Sequence, residues 1–397
     1  MKIAFLDIKS IGEDLDLSAF NTLGEVIKYP FTSIEEAPDH IQDADVIILN
    51  KVPVNASTIS SAKNLKLVCV TGTGTNHLDK EYLKSRGIAW RNVAGYSTES
   101  VAQHTFAMLF YLLEKLRYYD EYVKEDRYTN DTSFRHFEET FYEIKGKTWG
   151  IIGLGNIGRR VASIAEAFGA NIIYTSPSGN APQDGYHQTD LDTLLRTSDI
   201  ISVHAPLNEY TENLIDADAF SKMKQSCIFL NLGRGAIVVE EDLVVALNTG
   251  KIRAAGLDVL CKEPMSPDTP LRQIKDSRRL FITPHIAWAS VEARTNLMNI
   301  IYGQIKDFFN LRFFRILKAF SHQILSSWLS EMPFFFNASQ SFPISATSGI
   351  SRISIPENPS KSVPIAGNSL PPICIICNTC ATMSSIKDSF FPPRNIP

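Results

Sequence analysis

The chain has 397 residues, 44% of them hydrophobic, and a formal net charge of −4. This length allows two domains with ample core, and the slightly acidic balance excludes the basic surface that binds nucleic acid. No apolar run reaches about 18 residues, so no membrane span is predicted. The N-terminal segment, MKIAFLDIKS, lacks the apolar region and cleavage site of a signal peptide. The cysteines of the first 310 residues are isolated, so we expect a cytoplasmic protein.

Short apolar segments alternate with helical or loop segments through the first hundred residues. The predicted strands are Lys2–Asp7, Asp45–Asn50 and Leu65–Thr71. Such alternation is typical of a parallel sheet. The third strand runs into a glycine-rich turn, TGTGTN at 71–76, at the end of the sheet where small ligands bind, although a plain tight turn would have the same sequence.

The middle of the chain predicts a connection between two domains. Ser100–Tyr119 is long and largely apolar, which indicates a helix that joins them. Asp120–Lys145 is polar and aromatic without strand alternation, so we expect an arm or excursion from the domain.

A strand, a glycine turn, a helix and a second strand follow one another at 149–174. The turn carries Gly153, Gly155 and Gly158 in G-x-G-x-x-G spacing. In such a turn the first glycine makes the bend, the second lets backbone approach a pyrophosphate, and the third lets helix pack on strand. The helix N-terminus adds free N–H groups for the anion. A lone GxGxxG is weak evidence, but this context predicts a dinucleotide site.

Four later strands are each followed by polar residues. They are Ile200–His204, Ile228–Asn231, Ala254–Leu257 and Leu280–Ile282. Because the carboxyl ends of parallel strands line one edge of a sheet, four polar residues are expected to converge on one crevice. These residues are His204, Arg234, Asp258 and His285.

Three residues near these strand ends have the chemistry that reduction of a keto acid needs. Arg234, between two glycines, is placed for a bidentate contact with a carboxylate. His285 titrates near neutrality and can donate a proton, and Glu263 beside it would favour the imidazolium form. The alternatives are a surface arginine in a turn, a structural histidine and a solvated loop charge.

Four motifs together resemble the D-isomer-specific 2-hydroxyacid dehydrogenases, over residues 1–310. The motifs are GLGNIG at 153–158, NLGRG at 231–235, GLDV at 256–259 with Glu263-Pro264, and TPHI at 283–286. The resemblance implies two Rossmann-like, doubly wound parallel-sheet domains, a nicotinamide cofactor, a small 2-keto or 2-hydroxy acid as substrate, and a homodimer built through the cofactor domain.

The resemblance also implies roles for single residues. Arg234 would hold the substrate carboxylate and carbonyl, His285 would be the acid/base, and Glu263 would pair with it. The Thr73-Gly74 turn would bind the carboxylate through its backbone. The sequence TPHIAW at 283–288 is similar to the glycerate dehydrogenase and hydroxypyruvate reductase branch. In that branch Trp288 would line the substrate site, although it could equally be a packing aromatic.

The expected cofactor site is taken from the matching motif positions. Its residues are Gly153, Gly155, Asn156, Ile157, Gly158, Ser176, His204, Pro206, Leu232 and Asp258. Ser176 stands where an acidic residue would grip the ribose hydroxyl and select NAD. No Arg or Lys lies between Ile172 and Leu195 to bind a 2′-phosphate, so the sequence favours NAD and leaves NADP open. No metal site is predicted.

The domain boundaries follow from these patterns. The predicted substrate domain is 1–97 with 291–310, which makes it discontinuous if the helix Val291–Phe309 returns to it. The predicted cofactor domain is 98–290, and 311–397 is an irregular tail with only three acidic residues. One hypothesis is a reading-frame change near Asn310 that replaced the native C-terminus. Within the tail, cysteines 374, 377 and 380 resemble part of an iron–sulfur ligand run that lacks its fourth cysteine.

The predicted function is therefore the NAD(P)-dependent reduction of a small 2-keto acid, of the hydroxypyruvate or glyoxylate type, to the D-2-hydroxy acid. Two alternatives use the same scaffold. One is a phosphite or formate dehydrogenase, with which the Arg, Glu and His set is also compatible. The other is a non-catalytic, dinucleotide-sensing co-regulator that binds peptides. A third possibility is a damaged product whose tail prevents folding.

Overall fold

A computed structural model describes residues 1–179 and 185–330 of the chain. Its strands form two sheets, of five and seven strands, and every strand pair in both is parallel. Helices alternate with the strands along the chain. This confirms the predicted α/β fold with two Rossmann-like parallel sheets. Among the described residues, no helix is both long and apolar enough to span a membrane.

The first sheet has the strand order β2-β1-β3-β4-β5. Its strands are β1 (Lys2–Phe5), β2 (Glu25–Lys28), β3 (Val46–Leu49), β4 (Leu67–Val70) and β5 (Ala89–Arg91). The helices of this part are α1 (Ala37–Ile41), α2 (Ala56–Ile59) and α3 (Lys80–Ser85). The order reverses at β1, so the adjacent carboxyl ends of β1 and β3 open a crevice of the kind in which ligands bind.

The second sheet has the strand order β12-β11-β10-β9-β6-β7-β8, and we call it the cofactor sheet. Its strands are β6 (Thr148–Ile152), β7 (Asn171–Thr175), β8 (His187–Gln188), β9 (Ile200–Val203), β10 (Ile228–Asn231), β11 (Ala254–Leu257) and β12 (Leu280–Ile282). Its helices are α4 (Thr98–Leu113), α5 (Leu116–Lys124), α6 (Asn156–Ala167), α7 (Leu191–Thr197), α8 (Ala217–Lys222) and α9 (Glu240–Asn248). The order reverses between β6 and β9, directly beside the glycine turn.

The last described helix, α10 (Val291–Ser330), returns from the cofactor sheet to the first sheet. Its buried Leu297 and Ile301 belong to the same hydrophobic cluster as Ile3 and Phe5 of β1. Such packing of α10 against β1 is what a first domain made of two separate chain segments would need. The domain boundaries at 97, 290 and 310 stay predictions.

Two predicted helices differ from the structure. The single helix Ser100–Tyr119 is wrong: α4 ends at Leu113, and α5 begins after Lys115, whose φ of 56° lies in the left-handed region. The helix Val291–Phe309 continues to Ser330, because neither Pro nor Gly interrupts residues 304–332. The structure thus makes 311–330 helical where an irregular tail was expected. The rest of that tail, including its three cysteines, lies outside the described residues.

Three strands were not predicted, namely β2, β5 and β8. Each is short and lies at or next to a sheet edge. None of the three contains a fully buried residue, so they lack the apolar run by which the central strands were recognised. The segment Asp120–Lys145 was expected to be an arm or excursion, but residues 120–124 belong to α5. The stretch 125–147, which we call the arm, contains no helix or strand.

Candidate active site

The glycine turn after β6 has the geometry that each of its glycines was expected to provide. Gly153 has a φ of 94°, and a Cβ there would lie 2.7 Å from the Ala205 backbone nitrogen. A Cβ on Gly158 would lie 2.3 Å from the Gly153 carbonyl oxygen, so only glycine lets α6 pack so closely. At Gly155 a Cβ would meet nothing within 4 Å, which leaves space above the turn.

This turn fits a bound pyrophosphate. Gly155 is the N-cap of α6, and no described side chain caps that end of the helix. The first N–H groups of α6, from Asn156 and Ile157 onward, therefore remain available to an anion, beside the open space at Gly155.

Ser176 lies directly after β7, the neighbour of β6, at the position expected to face the ribose. Its carbonyl oxygen accepts a hydrogen bond from the Gly179 N–H at 2.9 Å, which forms a tight turn. The residues that follow, 180–184, lie outside the described part of the chain. Selectivity between NAD and NADP therefore stays a prediction.

The end of β9 borders the same crevice, but its histidine turns inward. The His204 Nε2 atom lies 3.0 Å from the Ser202 hydroxyl, which also accepts a hydrogen bond from the Trp149 indole. Burial lowers the pKa of His204 to about 3, so the ring is neutral. Because the ring points inward, only the backbone of His204 and the neighbouring Pro206 could make the predicted contact with a cofactor. The Pro206 carbonyl oxygen accepts a hydrogen bond from the Thr211 hydroxyl.

Arg234 is presented by a turn that the Asn231 side chain holds together. The Asn231 amide accepts a hydrogen bond from the Gly233 N–H at 3.1 Å and donates one to the Arg234 carbonyl at 2.9 Å. Leu232, within the same turn, is buried and donates its N–H to Val203 of β9. The sequence did not predict that Asn231 would hold this turn together. The available signal was a polar residue at the end of the buried strand β10.

The two glycines that flank Arg234 are required by close packing. A Cβ on Gly233 would lie 2.8 Å from the Ala205 carbonyl oxygen, and one on Gly235 would lie 1.9 Å from the Leu260 carbonyl carbon. The turn therefore fits between the loops after β9 and β11, which fixes where the arginine emerges.

The Arg234 side chain is exposed and reaches the glycine-rich turn of the first sheet. Its Nη1 donates to the Gly233 carbonyl at 2.7 Å, and a Cβ on Gly74 would lie 3.3 Å from its Nη2. The turn is anchored because the Thr73 hydroxyl donates to Val93 and the Asn92 amide donates to Thr73. The structure thus brings together Arg234 and the Thr73-Gly74 turn, as predicted.

Asp258 organises the loop after β12. Only 3% of Asp258 is exposed, and its carboxylate accepts hydrogen bonds from the Thr283 hydroxyl and from the N–H groups of Ile286 and Ala287. The Asp258 carbonyl accepts a further bond from the His285 N–H at 2.8 Å. The side chain that was expected near the nicotinamide therefore has both oxygens engaged in shaping the histidine loop.

His285 and Glu263 form the predicted pair. The His285 Nδ1 atom lies 2.7 Å from Glu263 Oε2, and Glu263 Oε1 accepts a hydrogen bond from the Leu260 N–H. Partial burial raises the pKa of Glu263, but the hydrogen bond and charge of His285 outweigh that effect, so the pKa is lowered. The glutamate is thus ionised at neutral pH, and Nδ1 is the ring nitrogen it engages.

Trp288 closes the loop behind the histidine. Its indole N–H donates to the His285 carbonyl at 2.8 Å, and its ring meets Tyr96 edge to face at 6.2 Å between centroids. Burial raises the pKa of Tyr96 to about 12, although the nearby Arg234 charge lowers it, so the phenol stays neutral. The structure shows Trp288 packing against the loop after β12 that carries His285. A contact of Trp288 with substrate stays a prediction.

Two residues on α4 that the sequence reading missed also support this loop. The Ser100 hydroxyl donates to the Ala287 carbonyl at 2.6 Å, and His104 Nε2 lies 3.0 Å from the Thr283 hydroxyl. Burial lowers the pKa of His104, although Asp258 opposes this. Their spacing of four residues on an otherwise apolar helix was the available signal, because it puts both on one face.

The chain is similar to known proteins over most of its described length. Residues 106–287 match the family model of the D-isomer specific 2-hydroxyacid dehydrogenase NAD binding domain. A hydroxypyruvate reductase of Blautia hydrogenotrophica is 36% identical over 316 residues, and 78% of this chain aligns with 97% of it.

Two further proteins support the same relationship. A glycerate dehydrogenase of Methylorubrum extorquens is 37% identical, with 77% of this chain aligned to 94% of it. The structure of an NADPH-dependent glyoxylate/hydroxypyruvate reductase from Sinorhizobium meliloti, in complex with NADP and malonate, has a TM-score of 0.65 at 25% identity. That alignment covers 78% of this chain and 93% of the reductase. The chain therefore belongs to the D-isomer-specific 2-hydroxyacid dehydrogenase family and is an NAD(P)-dependent oxidoreductase.

Proposed function

We propose that this enzyme reduces a small 2-keto acid, of the hydroxypyruvate or glyoxylate type, to the corresponding D-2-hydroxy acid. The observation that carries the proposal is the His285–Glu263 pair at 2.7 Å, on the same edge of the cofactor sheet as the exposed Arg234. The similarity to a hydroxypyruvate reductase and a glycerate dehydrogenase supports the choice of substrate.

The substrate carboxylate would bind between Arg234 and the Thr73-Gly74 turn. The Arg234 Nη2 atom lies beside Gly74, where a Cβ would be 3.3 Å from it, and a planar cation suits bidentate contact with a carboxylate. A second N–H of the same group would polarise the carbonyl oxygen, where negative charge develops during reduction. Arg234 thereby both orients the keto acid and stabilises the developing alkoxide.

His285 would donate the proton that the alkoxide needs. With Nδ1 engaged by Glu263, the opposite nitrogen, Nε2, is the one available to the substrate. The ionised glutamate holds the ring through Nδ1, so His285 is placed to act as a general acid through Nε2. A bound reduced nicotinamide supplies the hydride to the carbonyl carbon.

The cofactor would lie across the crevice between β6 and β9. We assign the pyrophosphate to the turn at Gly153, Gly155 and Gly158, and to the N–H groups of Asn156 and Ile157. The remaining proposed contacts are Ser176 on the ribose side, and His204, Pro206, Leu232 and Asp258 toward the nicotinamide. NAD is the proposed cofactor, because Ser176 and its neighbours provide no cation for a 2′-phosphate.

We also propose a cytoplasmic homodimer built through the cofactor domain. The supporting observation is an arm at 125–147 that displays large apolar side chains to solvent. Phe134, Phe137 and Phe141 are all exposed on it. Exposed apolar clusters of this kind typically mark an interaction surface.

The direct test is the consumption of NADH by the purified full-length protein with hydroxypyruvate or glyoxylate. We expect turnover by the wild type, and His285→Ala should reduce kcat on the order of 10²-fold or more while cofactor binding persists. Activity with phosphite or formate, but with no keto acid, would replace the proposal by one of those dehydrogenase functions. Cofactor binding without turnover of any of these substrates would favour the sensing role.

A further inference from the structure

A second cleft lies at the end of the cofactor sheet opposite to the candidate active site. Its volume is about 370 Å³. Arg253 and Arg279 line it and directly precede β11 and β12, whereas Asp258 and His285 follow the other ends of these strands. Since the strands are parallel, the cleft and the active site occupy opposite edges of the same sheet.

The lining of this cleft is strongly basic, and we call it the basic cleft. Five cationic side chains face it against two carboxylates. The cations are Lys115, Arg117, Arg253, Arg278 and Arg279, and the carboxylates are Glu139 and Asp276. Cations of the lining therefore exceed its carboxylates by three, and Glu121, which pairs with Arg117 from outside the lining, offsets one of them. The cleft thus keeps a net positive charge.

Three of the arginines already have partners within the protein. Arg279 donates to the carbonyls of Leu247, Ile252 and Arg253, so it is structural. Arg278 binds Asp276 through two nitrogens, at 3.1 and 3.3 Å, and Glu139 through a third at 3.3 Å. Arg253 donates to the Thr140 carbonyl at 2.8 Å. Both carboxylates of the cleft are therefore held by Arg278.

Lys115 is the cation of the cleft whose charged group has neither an ion pair nor a hydrogen bond among the described residues. It is half-buried. Burial lowers the pKa of Lys115, the nearby Arg253 charge lowers it further, and Glu139 and Asp276 partly oppose the shift. Arg117 lines the cleft beside it, uses its Nε for Glu121 and also interacts with the Tyr111 hydroxyl, so it adds a largely exposed charge at the rim of the cleft. Cations held in this way favour an anion from outside the protein.

We propose that the basic cleft binds a small oxyanion with two or more negative charges, such as phosphate or a phosphate monoester, through Lys115 and Arg117. A multivalent anion matches the net positive charge of the cleft better than chloride does. The volume of about 370 Å³ is large enough for such an anion. Binding would stabilise the folded protein in proportion to the free anion concentration.

The test is a titration of inorganic phosphate at constant ionic strength, followed by thermal unfolding and calorimetry. Saturating NADH is included so that phosphate does not occupy the turn at Gly155. We expect a rise in Tm with phosphate that sodium chloride does not reproduce. Lys115→Asn should weaken phosphate binding by about tenfold or more, because it removes the charge. Asparagine also tolerates the left-handed backbone at this position.

Two further variants distinguish a lost ligand from a damaged fold. Glu139→Gln should strengthen phosphate binding, because it removes a negative charge and frees an Arg278 nitrogen. Lys124→Asn, a change at an exposed lysine paired with Asp120, should leave binding unchanged. A gain in one variant and a loss in another cannot both come from unfolding.

Further measurements show which site binds the anion and whether the anion is free phosphate or a phosphate ester. Arg234→Gln should keep the phosphate response, since the active site lies at the other edge of the sheet. Phosphate monoesters that bind about tenfold more tightly than phosphate would identify a metabolite, and equal binding would identify the free ion. An unchanged response in Lys115→Asn would overturn the proposal. So would a chloride response of equal size, or a change in sedimentation mass without phosphate binding.

Discussion

The chemistry proposed for this enzyme depends on how a few single residues are held. His285 has a φ of 56°, which is unusual for a residue with a side chain. Its backbone is fixed on both sides, because its own N–H reaches Asp258 and the Trp288 indole reaches its carbonyl. With Glu263 on Nδ1, the ring has one orientation, so its free nitrogen is directed before substrate arrives.

Arg234→Ala should damage use of the keto acid far more than binding of the cofactor. Charge-assisted hydrogen bonds contribute about 1.5–3 kcal/mol each, so losing two should lower kcat/KM on the order of 10²-fold or more. The Kd of NADH should change by less than about threefold. Steady-state kinetics and fluorescence titration measure the two effects.

Arg234→Lys is the matched control for this substitution. Lysine keeps the positive charge but cannot make a bidentate contact, so it should recover only part of the lost kcat/KM. Full recovery would mean that charge alone matters. An equal loss of cofactor affinity in Arg234→Ala would remove the arginine from its assigned role.

Glu263 gives a prediction for stability against pH. Its pKa is lower in the folded chain than the ordinary 4.5, because the His285 hydrogen bond and charge outweigh the effect of partial burial. A carboxyl group of this kind stabilises the folded state above its unfolded pKa, and the contribution disappears as pH falls through the folded pKa. Glu263→Gln should therefore destabilise the protein near neutral pH, and the difference from wild type should shrink below a pH of about 4.5.

Denaturant unfolding of the wild type and Glu263→Gln across this pH range measures the difference. The same variant should also lower kcat for keto acid reduction, because a neutral amide does not stabilise the positive charge of an imidazolium as a carboxylate does. A stability difference that stays constant with pH would show that the glutamate contributes only packing.

Among the elements, the strand–turn–helix unit of β6 and α6 requires glycine at particular positions. The helix crosses the turn so closely that position 158 has no room for a methyl group, whereas position 155 has room but borders the helix N-terminus. One glycine thus serves the packing of the element and the other serves the ligand. The two functions can be separated by the same substitution at two positions.

Gly158→Ala should destabilise the fold, and Gly155→Ala should weaken cofactor binding. The alanine methyl at 158 would meet the backbone oxygen of Gly153 at 2.3 Å, which cannot move freely, so we expect a loss of about 1–3 kcal/mol in unfolding free energy. At 155 the φ of −79° suits alanine, so stability should change by less than about 0.5 kcal/mol. Its methyl would occupy the pyrophosphate space and raise the Kd of NADH by about tenfold or more.

Thermal unfolding without cofactor and NADH titration separate these two effects. Comparable stability of both alanine variants in the absence of NADH would contradict the packing role of Gly158. Normal NADH affinity in Gly155→Ala would show that the pyrophosphate does not approach this turn.

At the scale of the whole molecule, the sequence predicted those strands and helices that a local pattern of apolar residues marks. β10 and β11 were found with their observed bounds, because strands buried on both faces are continuous apolar runs. The left-handed Lys115 was not predicted, since nothing in its neighbourhood marks a break in the helix. Nor were the contacts of Asn231, Ser100 and His104, because each joins segments whose proximity only the folded chain determines.

The arm at 125–147 exposes large apolar side chains that no other part of the described chain covers. Its interior is ordered by aromatic stacking, with His136 lying 3.7 Å from Tyr122 between ring centroids. Its outer face, however, exposes 77% of both Phe134 and Phe137. An ordered segment with an apolar outer face is better explained by a partner surface than by solvent.

Charged substitution on this face should therefore separate the proposed homodimer. We expect the wild type to sediment as a dimer, and the double variant Phe134→Asp, Phe137→Asp to sediment as a monomer with a similar circular dichroism spectrum. Phe31→Asp is the control, because Phe31 is a phenylalanine outside the arm that is 70% exposed. It should leave the dimer intact. A wild type that is monomeric at all concentrations, or a dimer that survives both arm substitutions, would show that this surface does not hold two copies together.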